Sequence, residues 1–138
     1  MSNSDLILLP VFKQAAYLDG NEVILELFIP DDLAYFNGHF DRIAVVPGVT
    51  QIHWVVHYAR LHIEKFVDAN QAPKASIVQH TAFDSFYQMQ VIKFKSLILP
   101  GTTVHLSLRL VDDGSKLYFR FYSETQEFSS GRLYFQSA

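Results

Sequence analysis

One segment limits what this chain can fold into. After Pro47-Gly48, apolar residues fall at Val49, Ile52, Val56, Ala59, Ile63 and Phe66. Gaps of three and four residues alternate along it, which is the spacing of one helix face. Asn70 and Pro73 mark its end. A helix this apolar needs cover on most of its circumference, and the flanking sequence reads as strands. Residues 21–29 are rich in β-formers, with Val23, Leu25, Leu27 and Ile29 on one face and Pro30 as the stop. Residues 81–99 are long enough for two strands with a bend, and Pro100-Gly101 is a turn. Val104, Leu106, Leu108 and Leu110 alternate with His105, Ser107 and Arg109. Asp112-Asp113-Gly114-Ser115 is a hairpin turn. Beyond it, Leu117, Phe119 and Phe121 alternate with Lys116, Tyr118 and Arg120, and a last strand runs over about 132–136. About two early and four late strands around one long helix predict an α+β fold, with a curved antiparallel sheet covering that helix.

The 138 residues make one domain's worth of chain, read as a single unit over 1–138. Hydrophobic residues at 49% and charged residues at 18% support a packed core rather than a disordered chain. With 12 Phe and 7 Tyr, the aromatic load suits a sheet-rich interior. A net charge of −3 excludes the global basic excess of a bulk nucleic-acid binder, though not a local basic patch. The chain has no cysteine, which excludes disulfides, thiolate zinc sites and a cysteine nucleophile. Its first ten residues lack a basic region before the short apolar run, unlike a signal peptide. The uncharged stretch 43–59 contains Pro47, Gly48, Gln51, His53 and His57, too polar and interrupted to span a bilayer. The expectation is a soluble cytoplasmic protein with no membrane and no nucleic-acid partner. The tail Leu133-Tyr134-Phe135-Gln136-Ser137 partly resembles a protease-site remnant, but Gly131 and the alternating apolar residues suit a native edge strand.

The chemistry is concentrated in Phe36-Asn37-Gly38-His39-Phe40-Asp41-Arg42-Ile43-Ala44-Val45-Val46-Pro47-Gly48-Val49. A loop presents His39 beside a glycine, and Pro47-Gly48 then opens the helix. Helix N-termini carry unpaired N–H groups and favour negative charge. A base beside such a donor is the minimum equipment for proton removal next to a carbonyl. By itself, however, a loop histidine is more often a surface or structural group than a catalyst, and Pro-Gly before a helix is common turn chemistry.

Phe36-Asn37-Gly38-His39-Phe40, followed by Pro47-Gly48-Val49 and Gln51-Ile52, resembles the signature of the hotdog-fold β-hydroxyacyl-ACP dehydratases. It most resembles their thioester dehydratase branch in aryl-polyene-type biosynthesis. Downstream, Ile92-Lys93-Phe94-Lys95-Ser96-Leu97-Ile98-Leu99-Pro100-Gly101-Thr102 is similar to the family's basic-aromatic strand and Pro-Gly turn, so the likeness covers roughly residues 20–136. The resemblance implies a hotdog fold, a homodimer with the active site between chains, and dehydration of a 3-hydroxyacyl thioester to the trans-2-enoyl thioester without a cofactor. It implies His39 as the base, Gly48 as the N–H donor, and Val49 as a second donor. Val49, His57, Phe40 and Pro47 are the candidate substrate-binding residues, and an acyl carrier protein or coenzyme A would carry the substrate. Lys93 and Lys95 are the candidate carrier-docking residues.

The sequence departs from that pattern where the family usually has an acidic residue six positions after the proline; here it has His53. His57, where many relatives carry Gln, lies one turn further on, and Thr50, His53 and His57 predict a polar stripe on an apolar helix. Such a stripe must meet water, a partner chain or a site. His53 could replace the acid directly, only position a water, or mark a lost catalytic role. A shared metal at His53 and His57 is set aside, because Trp54 stands where a zincin needs Glu and no third ligand is evident. His62, His80 and His105 read as surface or structural groups, Trp54 as core or interface. Asp31 and Asp32 could cap the loop, and Asp41 and Asp84 are further carboxylates near the candidate site. Lys93, Lys95, Arg109, Arg120 and Arg132 fit a solvated sheet face, or a basic rim for an acidic carrier or coenzyme A phosphates. The rival functions are a hotdog thioesterase and a non-catalytic carrier-binding or partner subunit.

Overall fold

The computed structural model describes residues 9–18, 21–33, 45–70, 87–111 and 116–135. Six strands and one helix follow in the order β1 (Val11–Leu18), β2 (Glu22–Phe28), α1 (Gly48–Asn70), β3 (Tyr87–Phe94), β4 (Thr103–Val111), β5 (Lys116–Tyr122) and β6 (Glu127–Phe135). All neighbouring strands are antiparallel, in the spatial order β1-β2-β4-β5-β6-β3. The helical segment is inserted between β2 and β3, and these strands lie on different sides of the sheet. β1 and β3 are left as its edges.

Period-two alternation decides which sheet face is the core. Val23, Leu25 and Leu27 of β2, Val104, Leu106, Leu108 and Leu110 of β4, and Leu117, Phe119 and Phe121 of β5 are all buried. Their neighbours Ser107, Arg109, Tyr118 and Arg120 point to the other face. The helix supplies Ile52, Trp54, Val55, Val56, Tyr58 and Ala59 to the same cluster. Each large apolar side chain buried there contributes about 1.5–3 kcal/mol of transfer free energy. Trp54 is therefore a core residue.

The strands expected at 21–29, 104–110 and 116–123 form where the alternation puts them. Among the described residues, 81–99 holds one strand, not two. Its bend is a bulge, since pairing with β6 shifts between Gln90 and Lys93. Val91 there adopts φ 55°, a left-handed conformation that a β-branched residue enters only at a cost. β6 begins at Glu127, earlier than expected, and it is not an edge: it lies between β5 and β3. The polar run Ser129-Ser130-Gly131 hides it from a hydrophobic pattern. Gly131 is required by contact, because a Cβ there would lie 2.4 Å from Ile92 Cδ1 and 3.1 Å from Ile92 Cα.

Gly131→Ala is expected to destabilise the protein by about 1–3 kcal/mol, the cost of overpacking a tight contact that includes backbone. A lowered urea midpoint at unchanged slope checks it.

Candidate active site

Pro47 is the residue from which α1 starts. Its carbonyl accepts the first intrahelical bond, from Gln51 N at 3.1 Å. Proline has no side-chain acceptor for a cap, and the first turn carries no acidic residue. The N–H groups of Gly48, Val49 and Thr50 therefore precede the first intrahelical donor, the Gln51 N–H. The aligned peptide dipoles add partial positive charge at the same place. This end of the helix can receive a carbonyl oxygen and hold it more strongly as negative charge develops.

Three hydrogen bonds fix that end. Val46 N donates to Ile98 O at 2.9 Å, tying the entering chain to the segment after β3. Gln51 Nε2 donates to Val46 O at 3.2 Å, and Ser129 Oγ donates to Gln51 Oε1 at 2.7 Å. Gln51 and Ser129 are both buried. Phe94 covers Gly48 so closely that a Cβ on this residue would lie 2.8 Å from Phe94 Cζ. The absence of a side chain at Gly48 is what lets the ring approach the helix start.

Around the helix, the open stripe differs from the expected one. Thr50 is buried, whereas Val49 is 64% exposed. Val49 and His53 are exposed and His57 is half-buried, followed by exposed Arg60 and Leu61. The reason is angular: residues four apart advance only about 40° around a helix, so 49, 53 and 57 line up. Thr50 turns inward from that line. His57 meets Tyr58 edge-on at 4.9 Å between ring centroids. Partial burial, with the Arg60 charge added, holds the His57 imidazole below its ordinary pKa. Burial pushes the Tyr58 hydroxyl up to about 12.

Among the proposed site residues, Pro47, Gly48, Val49, His53 and His57 thus share the first turns of α1. His39 and Phe40 lie outside the described residues, as do Asp41, His80 and Asp84. Lys93 and Lys95 are not beside Gly48. Strand alternation turns Phe94 toward the helix and both lysines into a groove on the opposite sheet face. His62 bonds through Nδ1 to the Tyr17 hydroxyl, and His105 stacks on Tyr122. Asp31 and Asp32 are exposed in the turn after β2. Among the described residues, no three metal-ligand side chains gather, and no helix is long and apolar enough to cross a membrane. Sequence reasoning missed the roles of Phe94, Gln51 and Ser129. The available signal was Ser129 itself, a polar residue between Phe128 and Leu133 on an otherwise apolar strand face.

Residues 15–132 match the family model ApeI-like, described as ApeI dehydratase. Among solved structures, the dehydratase heterocomplex ApeI:P from Xenorhabdus doucetiae is 26% identical, over 91% of this chain and 96% of that chain, with a TM-score of 0.68. An uncharacterised protein from Erwinia carotovora subsp. atroseptica is 28% identical, over 94% and 97%, with a TM-score of 0.65. The dehydratase domain of the polyketide PpsC from Mycobacterium tuberculosis shares the fold at 15% identity, over 94% of this chain and 45% of that chain, with a TM-score of 0.52. A search of curated proteins finds no match. The shared architecture is the hotdog fold, an α+β sheet packed on one long helix.

Ser129→Ala should cost about 1–3 kcal/mol by leaving Gln51 Oε1 buried without a donor. Combined with Gln51→Leu, the loss should fall short of the sum of the single losses, as urea unfolding of the double-mutant cycle will show. Because His57 binds its proton less readily folded than unfolded, the stability tied to it is complete above pH 6.5, its ordinary pKa. That stability is lost as pH falls through the lowered folded value. His57→Gln should remove this acid-side loss from melting temperatures measured across a pH series.

Proposed function

The chain belongs to the ApeI-like dehydratase family, and from that premise we propose that it dehydrates a 3-hydroxyacyl thioester to the trans-2-enoyl thioester in fatty-acid or polyene-type biosynthesis. The observation that carries this reading is the start of α1: uncapped N–H groups at Gly48 and Val49, with His53 one turn further on the open stripe. The thioester carbonyl oxygen accepts from the Gly48 N–H, with Val49 as second donor. His39 removes the proton from the α-carbon, and the electron pair forms the new carbon–carbon double bond as hydroxide leaves the β-carbon. His53, as imidazolium, donates a proton to that hydroxide, so one water is released and nothing is oxidised or reduced. Pro47 and Phe40 border the acyl group, His57 lies further along it, and the carrier is an acyl carrier protein or coenzyme A.

A second chain completes the site in this reading. The support is a set of uncovered apolar side chains: Val49 beside the helix start, Phe94 at 53% exposure, Leu97 at 62% and Met89 on edge strand β3. Exposed apolar surface next to an unpaired strand edge is surface that a partner chain covers. Whether that partner is a second copy or a different subunit gives a second reading. The 26% identical Xenorhabdus doucetiae dehydratase is a heterocomplex, which supports the reading of this chain as one half of a mixed pair. A different subunit predicts thioester binding without turnover by the purified chain, and turnover on adding the partner.

Incubation with a panel of 3-hydroxyacyl thioesters, read by mass spectrometry, tests the reaction. Wild type should yield the product lighter by one water, and His39→Ala should lose at least 100-fold in rate, the scale of general-base catalysis. Equal product from both proteins would remove His39 from the mechanism, and free acid instead of enoyl thioester would make the protein a thioesterase. His53→Ala should slow dehydration at least 100-fold, the scale of general-acid catalysis. Unchanged activity in that variant would leave His53 no role as the acid.

A further inference from the structure

The sheet face turned away from α1 holds a groove of about 540 Å³ that the dehydration reading does not use. Its lining includes Lys93, Lys95, Arg109, Arg120 and Arg132. Five of the chain's 11 basic residues are therefore gathered on one face of a protein whose net charge is −3. Two carboxylates line it as well, Glu22 and Glu127. Glu127 is occupied by Lys95 at 2.8 Å and Arg120 at 3.6 Å. Glu22 accepts from Ser107 Oγ at 2.8 Å. Among the described residues, Lys93, Arg109 and Arg132 are left with no carboxylate at ion-pair distance.

Strand register sets how these groups converge. Tyr118 of β5 pairs with Arg109 of β4 on one side and Arg132 of β6 on the other. Strand spacing puts the two arginine Cα atoms about 10 Å apart, a gap that both side chains can close on one ligand. The next row along carries Ser107, Arg120, Ser130 and Lys93 in register. Arg109 lies over the Tyr118 ring at 4.8 Å and Arg120 over the Tyr122 ring at 4.1 Å, which orders the guanidinium groups and leaves their N–H edges available. Arg132 Nε is buried and has no hydrogen-bond partner. A buried donor of this kind requires an acceptor.

We propose that this groove binds a small polyphosphorylated molecule of nucleotide size, held by Arg109, Arg132 and Lys93. Charge selects the anion, and the fork geometry of arginine matches phosphate oxygens. The volume selects the class: it falls within the roughly 300–1,000 Å³ of small-molecule sites. The site lies on the sheet face opposite the helix and does not depend on the dehydration reading. Binding without turnover and turnover without binding are distinguishable results.

Isothermal titration calorimetry of the full chain with sodium pyrophosphate and with adenosine diphosphate tests it. Saturable binding of both is expected, with one ligand per chain and affinity that weakens as salt is raised. The Arg109→Gln, Lys93→Gln double variant should bind at least tenfold more weakly, and Lys13→Gln, on edge strand β1, should bind as wild type does. Lys93→Glu alone serves as a second variant should the double variant fail to fold, with the same tenfold loss expected. No saturation with either probe, or equal binding by wild type and the folded variants, overturns the proposal. So does tighter capture of a single-stranded oligonucleotide or a phosphatidylglycerol vesicle that pyrophosphate does not displace.

Discussion

Gln51 anchors the start of α1 by using both ends of one amide. Its nitrogen donates to the Val46 carbonyl, and its oxygen accepts from the Ser129 hydroxyl. The first bond shapes the chain as it enters the helix, and the second joins the helix to an interior strand. All three partners are buried, so each bond is made where water cannot replace it and a lost partner is costly. The bareness of the Gly48 backbone is of use only because this amide fixes the place where those N–H groups emerge. Phe94 then lies against Gly48 from the sheet side. The buried amide contacts of Gln51 and the N–H groups that start the helix therefore lie within four residues of one another.

The two faces of the sheet divide the molecule's work. The inner face is aliphatic and aromatic and packs on the helix. The outer face alternates Arg and Lys with Tyr and Ser, and pairs cations with rings across strands at Arg109–Tyr118 and Lys116–Tyr134 and along β5 at Arg120–Tyr122. In a twisted sheet such ladders lend rigidity without apolar burial, since each guanidinium over a ring contributes roughly 0.5–1 kcal/mol at an exposed position. Lys93 and Lys95 belong to this outer set, although Phe94 between them belongs to the inner one.

Much of this was legible in the residues. Strict alternation in β2, β4 and β5 identified their core faces correctly, because a period of two admits only two orientations. The helix boundaries were equally readable from Pro47-Gly48 and Asn70. β6 was only partly legible, since Ser129 points inward for a hydrogen bond and Gly131 for lack of space, and neither reason is visible in a hydropathy pattern. Thr50 was placed on the wrong side of the helix because types alone cannot say which polar residue the core will accept. Around the candidate site, the sequence spacing of Pro47, Gly48 and His53 was sufficient to group them. The Gln51–Ser129 bond was not, because it joins residues 78 positions apart.

Both rims of the sheet are kinked. β1 shifts register between Phe12 and Gln14, and β3 does so between Gln90 and Lys93. Each kink interrupts the row of outward-facing peptide groups that another strand would need to zip along its full length. The molecule can thus keep greasy side chains on both borders, ready for a specific neighbour, without offering a straight template for runaway fibre growth.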